Sequence, residues 1–206
     1  MIGIVKYGSG NIQAIMNIYK RLNIECEFVS EPESLERVDR IILAGVGAFD
    51  ETMRQLDKSG LREALDYCVL EKGTPVLGVC VGMQIMASRS EEGELPGLGW
   101  LSASVKKLRA DGKQNMMLPH MGWNTIEPAI DHPVLRGVDC EKGFYFLHSY
   151  YFECEDPGDI LSRTHYGDDF TSAVVKDRLF GFQFHPEKSH LNGITIFKNF
   201  AEMDLC

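Results

Sequence analysis

The sequence predicts an α/β protein with a mostly parallel central sheet and additional antiparallel strands. Two observations predict it: short apolar strands alternate with helical stretches in the first half of the chain, and closely spaced strand-like runs and turns follow after about Pro96. With 206 residues, 44% of them hydrophobic, residues 1–206 are expected to fold as a single domain around one core.

The first half shows a βαβ pattern. A βαβ pattern predicts a parallel sheet that is covered by helices on both faces. The strands of such a sheet are short apolar runs, and ligands bind at their carboxyl ends. The expected strands are 2–5, 25–29, 40–43 and 75–79; the expected helices are 11–22, a region carrying Leu61, Leu65 and Val69 at helical spacing, and 83–87.

In the second half the strand candidates are shorter and partly antiparallel. They are 102–108, 122–126, 144–147, 150–153, 172–175 and 179–184. A closing helix is expected over 192–203, with a core-facing stripe of Ile194, Ile196, Phe197 and Phe200.

The charge, the hydrophobic pattern and the positions of the histidines and cysteines argue against several classes of function. The formal charge of −9, without a basic run, argues against nucleic acid, and no apolar run approaches the ~18 residues of a membrane span, so we expect a cytoplasmic protein. No cofactor or metal site is predicted. The histidines at 120, 132, 148, 165 and 190 lack metal-ligand spacing and are interpreted as surface, hydrogen-bonded or interface residues. Five lone cysteines are interpreted as small buried hydrophobes: Cys26, Cys68, Cys140, Cys154 and Cys206.

Cys80 is the exception among the cysteines. Gly78-Val79-Cys80-Val81-Gly82 follows an apolar strand and precedes a helical run, which is the pattern of a nucleophile elbow with cysteine in place of serine. The helix N-terminus favours a thiolate, and the N–H of Val81 points where an oxyanion would form. The alternative is a buried cysteine in a glycine-flanked turn.

A cysteine nucleophile needs a base, and His185 supplies a candidate. An alternating strand runs directly into His185-Pro186-Glu187, so His185 is the expected general base and Glu187 the carboxylate that orients its ring. Alone, this tripeptide is also compatible with an ordinary surface loop.

A third element, Ala44-Gly45-Val46-Gly47, follows another strand at the same expected edge. Its glycines allow a backbone N–H to turn towards a tetrahedral oxyanion. An ordinary tight turn is the alternative; a phosphate loop is disfavoured because no Lys-Ser or Lys-Thr pair follows.

Together these elements resemble class I glutamine amidotransferases, whose flavodoxin-like three-layer domains use a Cys-His-Glu triad. Further motifs sharpen the resemblance to the glutaminase subunits of imidazole glycerol phosphate synthase. They are Tyr7-Gly8-Ser9-Gly10-Asn11, Gly45-Val46-Gly47-Ala48-Phe49, Pro119-His120-Met121-Gly122-Trp123-Asn124, Tyr145-Phe146-Leu147-His148-Ser149-Tyr150 and His185-Pro186-Glu187-Lys188-Ser189.

The resemblance implies a set of roles. Glutamine would be hydrolysed through a thioester at Cys80, and its ammonia channelled to a synthase (cyclase) subunit of a heterodimer in histidine biosynthesis. The substrate would be held by Gln84, Ser149, Tyr150 and the backbone of Gly45 and Gly47. The segment 44–47 would rearrange so that Val46 presents its N–H. Met121, Trp123 and Asn124 would face the partner; for Met121 and Trp123, core packing is the alternative.

Two residues depart from the family pattern: Lys6 replaces an acidic residue and Ala44 replaces proline. A paralogous role is therefore a second hypothesis, in which the same chemistry supplies a sugar amidotransferase in surface glycan synthesis. Hypotheses from other classes are a stand-alone cysteine peptidase or γ-glutamyl hydrolase, against which the 119–124 motif argues, and a non-enzymatic binding module, against which the complete triad argues.

Overall fold

An eleven-stranded sheet and a separate two-stranded sheet organise the chain in the computed structural model, which describes residues 1–109 and 117–204. The strands are β1 (Ile2–Val5), β2 (Cys26–Val29), β3 (Arg40–Gly45), β4 (Val76–Cys80), β5 (Arg89–Ser90), β6 (Ala103–Lys107), β7 (His120–Asn124), β8 (Glu127–Pro128), β9 (Phe144–His148), β10 (Tyr150–Cys154), β11 (Ile160–Tyr166), β12 (Asp168–Lys176) and β13 (Leu179–Phe182).

The α-helices and shorter helical turns lie between these strands. The α-helices are α1 (Ile12–Arg21), α2 (Phe49–Ser59), α3 (Arg62–Asp66), α4 (Val81–Gln84) and α5 (His190–Glu202). Tyr67–Glu71 is a π-helical turn, and 3₁₀ turns occupy Pro32–Arg37, Pro133–Leu135, Pro157–Asp159 and Pro186–Lys188. None of the helices within the described ranges is long and apolar enough to cross a membrane.

The large sheet is parallel at its centre and antiparallel beyond it. Strands β2, β1, β3, β4 and β13 lie side by side in parallel. From β13 the sheet continues through β12, β10 and β6 in antiparallel pairs, and β11 and β8 branch from β12. Strands β7 and β9 form the small antiparallel sheet. This arrangement confirms the predicted α/β class with its additional antiparallel strands.

Apolar faces explain why the helices cover the sheet. Helix α1 buries Ile15, Met16 and Tyr19 on one side, and its polar positions face outwards. Helix α5 buries Ile196, Phe197 and Phe200, and the Tyr19 and Phe197 rings meet edge to face at 5.5 Å. The predicted stripe on α5 is thus correct for three positions, whereas Ile194 is only half-buried.

The predicted helix over 83–87 is wrong beyond Gln84. The backbone carbonyls that would continue it instead accept hydrogen bonds from the 98–101 segment; the pairs are Ile85 with Leu98, Met86 with Leu101 and Ala87 with Gly99. Helix α4 is therefore a single turn, so the sulfur at its start meets local N–H groups rather than the aligned dipoles of a long helix.

Two further differences concern the second half. Strand β7 spans His120–Asn124 rather than 122–126. Strand β11 was not predicted at all, because two of its inward positions, Ser162 and Thr164, are buried polar residues and break the apolar alternation. Their hydroxyls are satisfied by Ser172 Oγ and Thr125 O, each at 2.9 Å.

The cysteines also differ from expectation. Cys68 and Cys80 are buried, whereas Cys26, Cys140 and Cys154 are only partly buried. Cys206 lies outside the described residues.

Strand register places three candidate segments at one edge. Gly45, the last residue of β3, lies opposite Cys80, the last residue of β4. On the other side of β4, Phe182 of β13 lies opposite Val79, so the chain leaving β13 runs past Cys80. The carboxyl ends of parallel strands meet at one edge of a sheet, which is where ligands bind in this architecture.

Candidate active site

Cys80 lies at a strained turn between β4 and α4. Its φ of 53° and ψ of −115° are unfavourable for a residue with a side chain. The flanking glycines make the turn possible. A Cβ on Gly82 would collide with the carbonyl oxygen of Leu43, and one on Gly78 would lie 2.7 Å from Met83 Cα. The local geometry is that of a nucleophile elbow.

His185 and Glu187 form a buried pair beyond the end of β13. His185 Nδ1 and Glu187 Oε1 are 2.9 Å apart, and both side chains are 2% exposed. Ser189 fixes the turn that carries them, because its hydroxyl donates to His185 O at 2.6 Å and accepts from Tyr145 N–H at 3.0 Å. With Nδ1 donating to the carboxylate, Nε2 is the nitrogen left for the sulfur of Cys80.

The charge state of His185 follows from these neighbours. Burial lowers its pKa, but hydrogen bonds with Cys80 and Glu187, together with the negative charges of both partners, raise the pKa to about 10. The imidazole is therefore held in its cationic form at neutral pH. A cationic ring beside the sulfur is the environment in which a cysteine becomes a nucleophile.

A cavity of about 270 Å³ opens above the sulfur. It is lined by Val46, Gly47, Cys80, Val81, Gln84, Glu92, Pro119, Leu147, His148, Ser149, Tyr150, His185 and Lys188. Most of the residues predicted from sequence thus surround one pocket. Gly45 lies just behind it, where a Cβ would approach the N of Gly82 at 2.8 Å and the hydroxyl of Tyr7 at 2.9 Å.

Sequence reasoning missed several lining residues. Leu147, His148 and Lys188 belong to motifs that carried the family resemblance, so their position in those motifs was the available signal. Glu92 had no comparable signal: its carboxylate accepts a hydrogen bond from Phe49 N–H at 2.8 Å, at the start of α2, a contact between residues 43 positions apart.

The candidate oxyanion segment lines the cavity, but the N–H of Val46 is bonded to Ser9. Val46 N–H donates to Ser9 Oγ at 2.8 Å, and the same hydroxyl donates to Val46 O at 2.9 Å. Val46 lines the cavity, and its residue surface is 48% exposed, but its N–H is engaged elsewhere. Val81 begins α4 next to Cys80, where the first N–H groups of a helix have no intrahelical acceptor.

Gln84 and Tyr150 line the cavity, and the fully buried amide of Gln183 lies behind them. Gln84 Nε2 donates both to Tyr150 O, at 3.0 Å, and to Gln183 Oε1, at 2.9 Å. Gln84 is 2% exposed, so its amide plane is fixed by these two contacts. Because both amide N–H groups of Gln84 are engaged, its side-chain oxygen is the atom that can accept a hydrogen bond from a ligand.

Next to Tyr150, two buried histidines form a directional chain of hydrogen bonds, and His148 also lines the cavity. His148 Nδ1 lies 2.8 Å from Tyr150 O, which accepts, so His148 Nε2 is the acceptor for His120 Nδ1 at 3.0 Å. Asn124 Nδ2 lies 3.2 Å from His120 Nε2 and completes the chain. Burial lowers the pKa of His148 to about 3 and that of His120 to about 4, so both rings stay neutral.

The outer face of β7 and β9 presents apolar side chains beside the cavity. Met121 is 65% exposed and Trp123 49%; Leu147, opposite Met121, also lines the cavity. Trp123 stacks on the His190 ring at 5.3 Å. Asn124 instead points inwards and donates to His165 O at 2.9 Å. We call Met121, Trp123 and Leu147 the β7–β9 face.

Fold and site together describe an α/β enzyme domain with a cysteine at an elbow and a histidine–glutamate pair beside it. Residues 4–203 match the family described as glutamine amidotransferase class-I. The chain belongs to this family, which confirms the resemblance inferred from its motifs.

Within this family, the chain is similar over its whole length to subunits of one synthase. The chain is 46% identical to imidazole glycerol phosphate synthase subunit HisH 2 of Pseudomonas aeruginosa and 47% identical to imidazole glycerol phosphate synthase subunit HisH of Bdellovibrio bacteriovorus; each alignment covers 98% of this chain and 100% of the relative.

Solved structures agree on the fold. The structure of PurLQS from Thermotoga maritima superposes with a TM-score of 0.71 at 17% identity, covering 97% of this chain and 96% of that one. A glutamine amidotransferase crystal structure also gives 0.71, at 22% identity, covering 98% and 99%.

Proposed function

We propose that this chain is the glutaminase subunit of an imidazole glycerol phosphate synthase, acting in histidine biosynthesis. It hydrolyses glutamine to glutamate and passes the ammonia to a cyclase subunit. The observation that carries the proposal is the meeting of Cys80, His185 and Glu187 at a small cavity whose rim continues into the β7–β9 face. Full-length relatives named as subunits of that synthase support the pathway.

The chemistry follows from the positions of the three side chains. In the resting site the thiol proton of Cys80 already resides on His185 Nε2, which makes the ring cationic, and the sulfur attacks the side-chain carboxamide carbon of glutamine. When the tetrahedral intermediate collapses, the C–N bond breaks, and His185 returns the proton to the leaving nitrogen to form ammonia. Water, deprotonated by His185, then attacks the thioester; the C–S bond breaks, glutamate is released, and Cys80 and His185 return to their starting state with the proton on His185. Glu187 keeps the ring oriented throughout.

Stabilisation of the oxyanion makes the reaction dependent on the partner. Val81 N–H offers one donor beside the sulfur. The second, Val46 N–H, is held by Ser9 and becomes available only when the 44–47 segment turns. An isolated chain therefore works with an incomplete oxyanion site, which limits the loss of ammonia when no synthase subunit is ready to use it.

The β7–β9 face is the proposed docking surface for the synthase subunit. Exposed Met and Trp side chains are enriched in the buried centres of protein interfaces. Leu147 connects the face to the cavity, so a partner seated there covers the exit through which ammonia leaves. The small cavity and the whole-length relatives favour this subunit role over a stand-alone peptidase or γ-glutamyl hydrolase. We place the heterodimer in the cytoplasm, with glutamine as the substrate of this chain.

The decisive experiment compares Cys80→Ala with Cys68→Ala, a change at a second buried cysteine away from the cavity. With the cyclase subunit plus its nucleotide substrate, Cys80→Ala should abolish glutamine-dependent product formation and preserve formation from added ammonium salt. Cys68→Ala should retain both. Glutamate release by folded Cys80→Ala at the wild-type rate would disprove the thioester mechanism.

The same chemistry serving a sugar amidotransferase is the second candidate. The observation in its favour is Lys6, an exposed cation that follows β1 at the carboxyl edge. The resemblance to the family implies an acidic residue at this position. Reversing a charge near an interface changes which partner is accepted. Strong stimulation of glutamine hydrolysis by the cyclase of the same organism supports the histidine pathway; stimulation only by a sugar amidotransferase supports this alternative.

A further inference from the structure

Gln183 is a buried amide beside the nucleophile that the triad does not use. It follows β13 two residues before His185, is fully buried, and its backbone N–H donates to Ser172 O at 2.9 Å. Burying a primary amide is unfavourable unless its oxygen and nitrogen both find hydrogen-bond partners. The partners of the Gln183 side chain therefore indicate what the residue does.

The orientation of the Gln183 amide follows from its neighbours. Tyr150 O is a carbonyl and only accepts, so the Gln84 atom 3.0 Å away must be its nitrogen. That nitrogen also lies 2.9 Å from the Gln183 side chain, which must present its oxygen there. Gln183 Nε2 then points the other way, to Cys80 Sγ at 3.8 Å.

We propose that Gln183 is a further catalytic residue, whose side-chain N–H donates a hydrogen bond to the Cys80 sulfur and stabilises its thiolate form. A thiolate accepts hydrogen bonds more strongly than a thiol, so the contact strengthens when the sulfur becomes charged. Unlike His185, the amide neither gains nor loses a proton, and it remains a donor at every stage. The inference rests on the proposed role of Cys80 as the nucleophile.

The network also explains why Gln84 is held so tightly. Gln84 fixes the Gln183 amide by occupying its oxygen, and the Tyr150 carbonyl fixes Gln84. His148 donates to the same carbonyl from behind. The donor to the sulfur is thus positioned before substrate arrives, and no reorganisation is needed as charge develops.

The test measures the reactivity of Cys80 as a function of pH in the purified full chain. Gln183→Leu removes the donor while keeping the side chain large; Gln13→Leu makes the same change at an exposed site on α1. Alkylation by iodoacetamide is followed by mass spectrometry of the peptide that contains Cys80, and Cys140 in the same molecules provides an internal reference.

Loss of one charge-assisted hydrogen bond should move the midpoint of the Cys80 alkylation profile up by about one pH unit and slow alkylation about tenfold at pH values below that midpoint. The Cys140 profile and the Gln13→Leu variant should not change. The other titratable groups facing the sulfur are Tyr7, Glu92, His148, Tyr150, His185 and Lys188, and all are retained in both variants.

A folded Gln183→Leu chain with the wild-type Cys80 profile would overturn the proposal. If that variant fails to fold, NMR of wild-type protein labelled with ¹⁵N-glutamine tests the proposal instead. Alkylating Cys80 should shift the side-chain NH₂ resonance of Gln183. An unchanged resonance would rule out the hydrogen bond to the sulfur. Failure of the proposed function is distinguishable, because Cys80→Ala would then leave glutamine hydrolysis intact whatever the alkylation profiles show.

Discussion

The hydroxyl of Ser9 holds both backbone polar groups of Val46. It accepts from Val46 N–H at 2.8 Å and donates to Val46 O at 2.9 Å, and Ser9 itself is 7% exposed. The next residue, Gly47, has a φ of 107°, which a side chain rarely adopts. The hydrogen bonds of Ser9 therefore fix the resting conformation of the 44–47 segment at Val46. Gly47, the next residue, can change its backbone angles when the segment rearranges.

Ser9→Ala should raise the glutaminase rate of the chain without its partner. The variant removes two hydrogen bonds that favour the resting state, and each contributes about 1 kcal/mol net, so a rise of up to about 30-fold is expected. Glutamate release by the isolated chain measures it. Ser34→Ala, at a half-buried serine on the 3₁₀ turn Pro32–Arg37, is the control. An unchanged or lower basal rate would show that these hydrogen bonds do not restrain the segment.

Glu187→Gln should lower both the rate and the pKa of His185. The pKa of His185 is raised to about 10 partly by the hydrogen bond and charge of Glu187, so an amide in its place lets burial pull the pKa down towards its ordinary value of 6.5. The cationic ring is then partly lost at neutral pH, and glutamine hydrolysis should fall at least about tenfold.

NMR titration of the His185 ring measures the pKa directly. The linked stability effect has a defined sign: a raised folded-state pKa stabilises the native chain below about pH 6.5, and that contribution is lost as pH rises through about 10. Glu155→Gln, at an exposed position, should change neither rate nor pKa. A His185 pKa that does not move in Glu187→Gln would contradict this account of the pair.

Much of the fold could be predicted because its parallel strands are buried on both faces. Strands β1, β3 and β4 read as continuous apolar runs, and their helices carry one apolar face each. The secondary-structure prediction failed where contacts between residues far apart in the chain, rather than the local hydrophobic pattern, determine the structure. Strand β11 buries polar hydroxyls that find partners elsewhere in the chain. Helix α4 stops because N–H groups of the 98–101 segment bond the carbonyls of residues 85–87, which would otherwise continue it.

The candidate site divides in the same way. Cys80 and His185 could be found because an elbow and a strand-terminal histidine leave a local signature of glycines and alternating residues. The direction of the Val46 N–H and the orientation of Gln183 could not, since each depends on one atom of a residue far away in the chain. A sequence pattern indicates how residues are spaced along the chain. It does not indicate the direction of the Val46 N–H or the orientation of the Gln183 amide.

Trp123→Ala should weaken binding of the synthase subunit. A large aromatic side chain, half exposed in the free chain, typically contributes about 2 kcal/mol or more at the centre of an interface, so affinity should fall roughly 30-fold. Calorimetry with the cyclase subunit measures the change. Tyr67→Ala, an aromatic residue 55% exposed on the π-helical turn away from the β7–β9 face, is the matched control. Equal affinity for wild-type and Trp123→Ala chains would exclude this face as the docking surface.

The buried pair His120 and His148 makes the chain sensitive to acid, by a mechanism separate from catalysis. Both rings have their pKa lowered by burial, to about 4 and about 3, and both are committed to one direction of hydrogen bonding. In the unfolded chain each histidine takes up a proton near pH 6.5. Between that pH and about 4 the unfolded state therefore binds more protons than the native state, and stability must fall as pH falls.

His148→Gln should make this loss less steep. Removing one of the two histidines reduces the slope of unfolding free energy against pH by up to about 1.4 kcal/mol per pH unit between pH 6 and 4. The variant also loses hydrogen bonds to Tyr150 and His120, so it should be less stable than wild type at pH 7.5 and approach it at pH 4.5. Urea unfolding at a series of pH values measures both effects. His165→Gln, an exposed histidine paired with Asp169, should follow the wild-type slope closely. Parallel curves for wild type and His148→Gln would mean that His148 already carries a proton in the native chain, which is incompatible with a neutral ring donating to Tyr150 and accepting from His120.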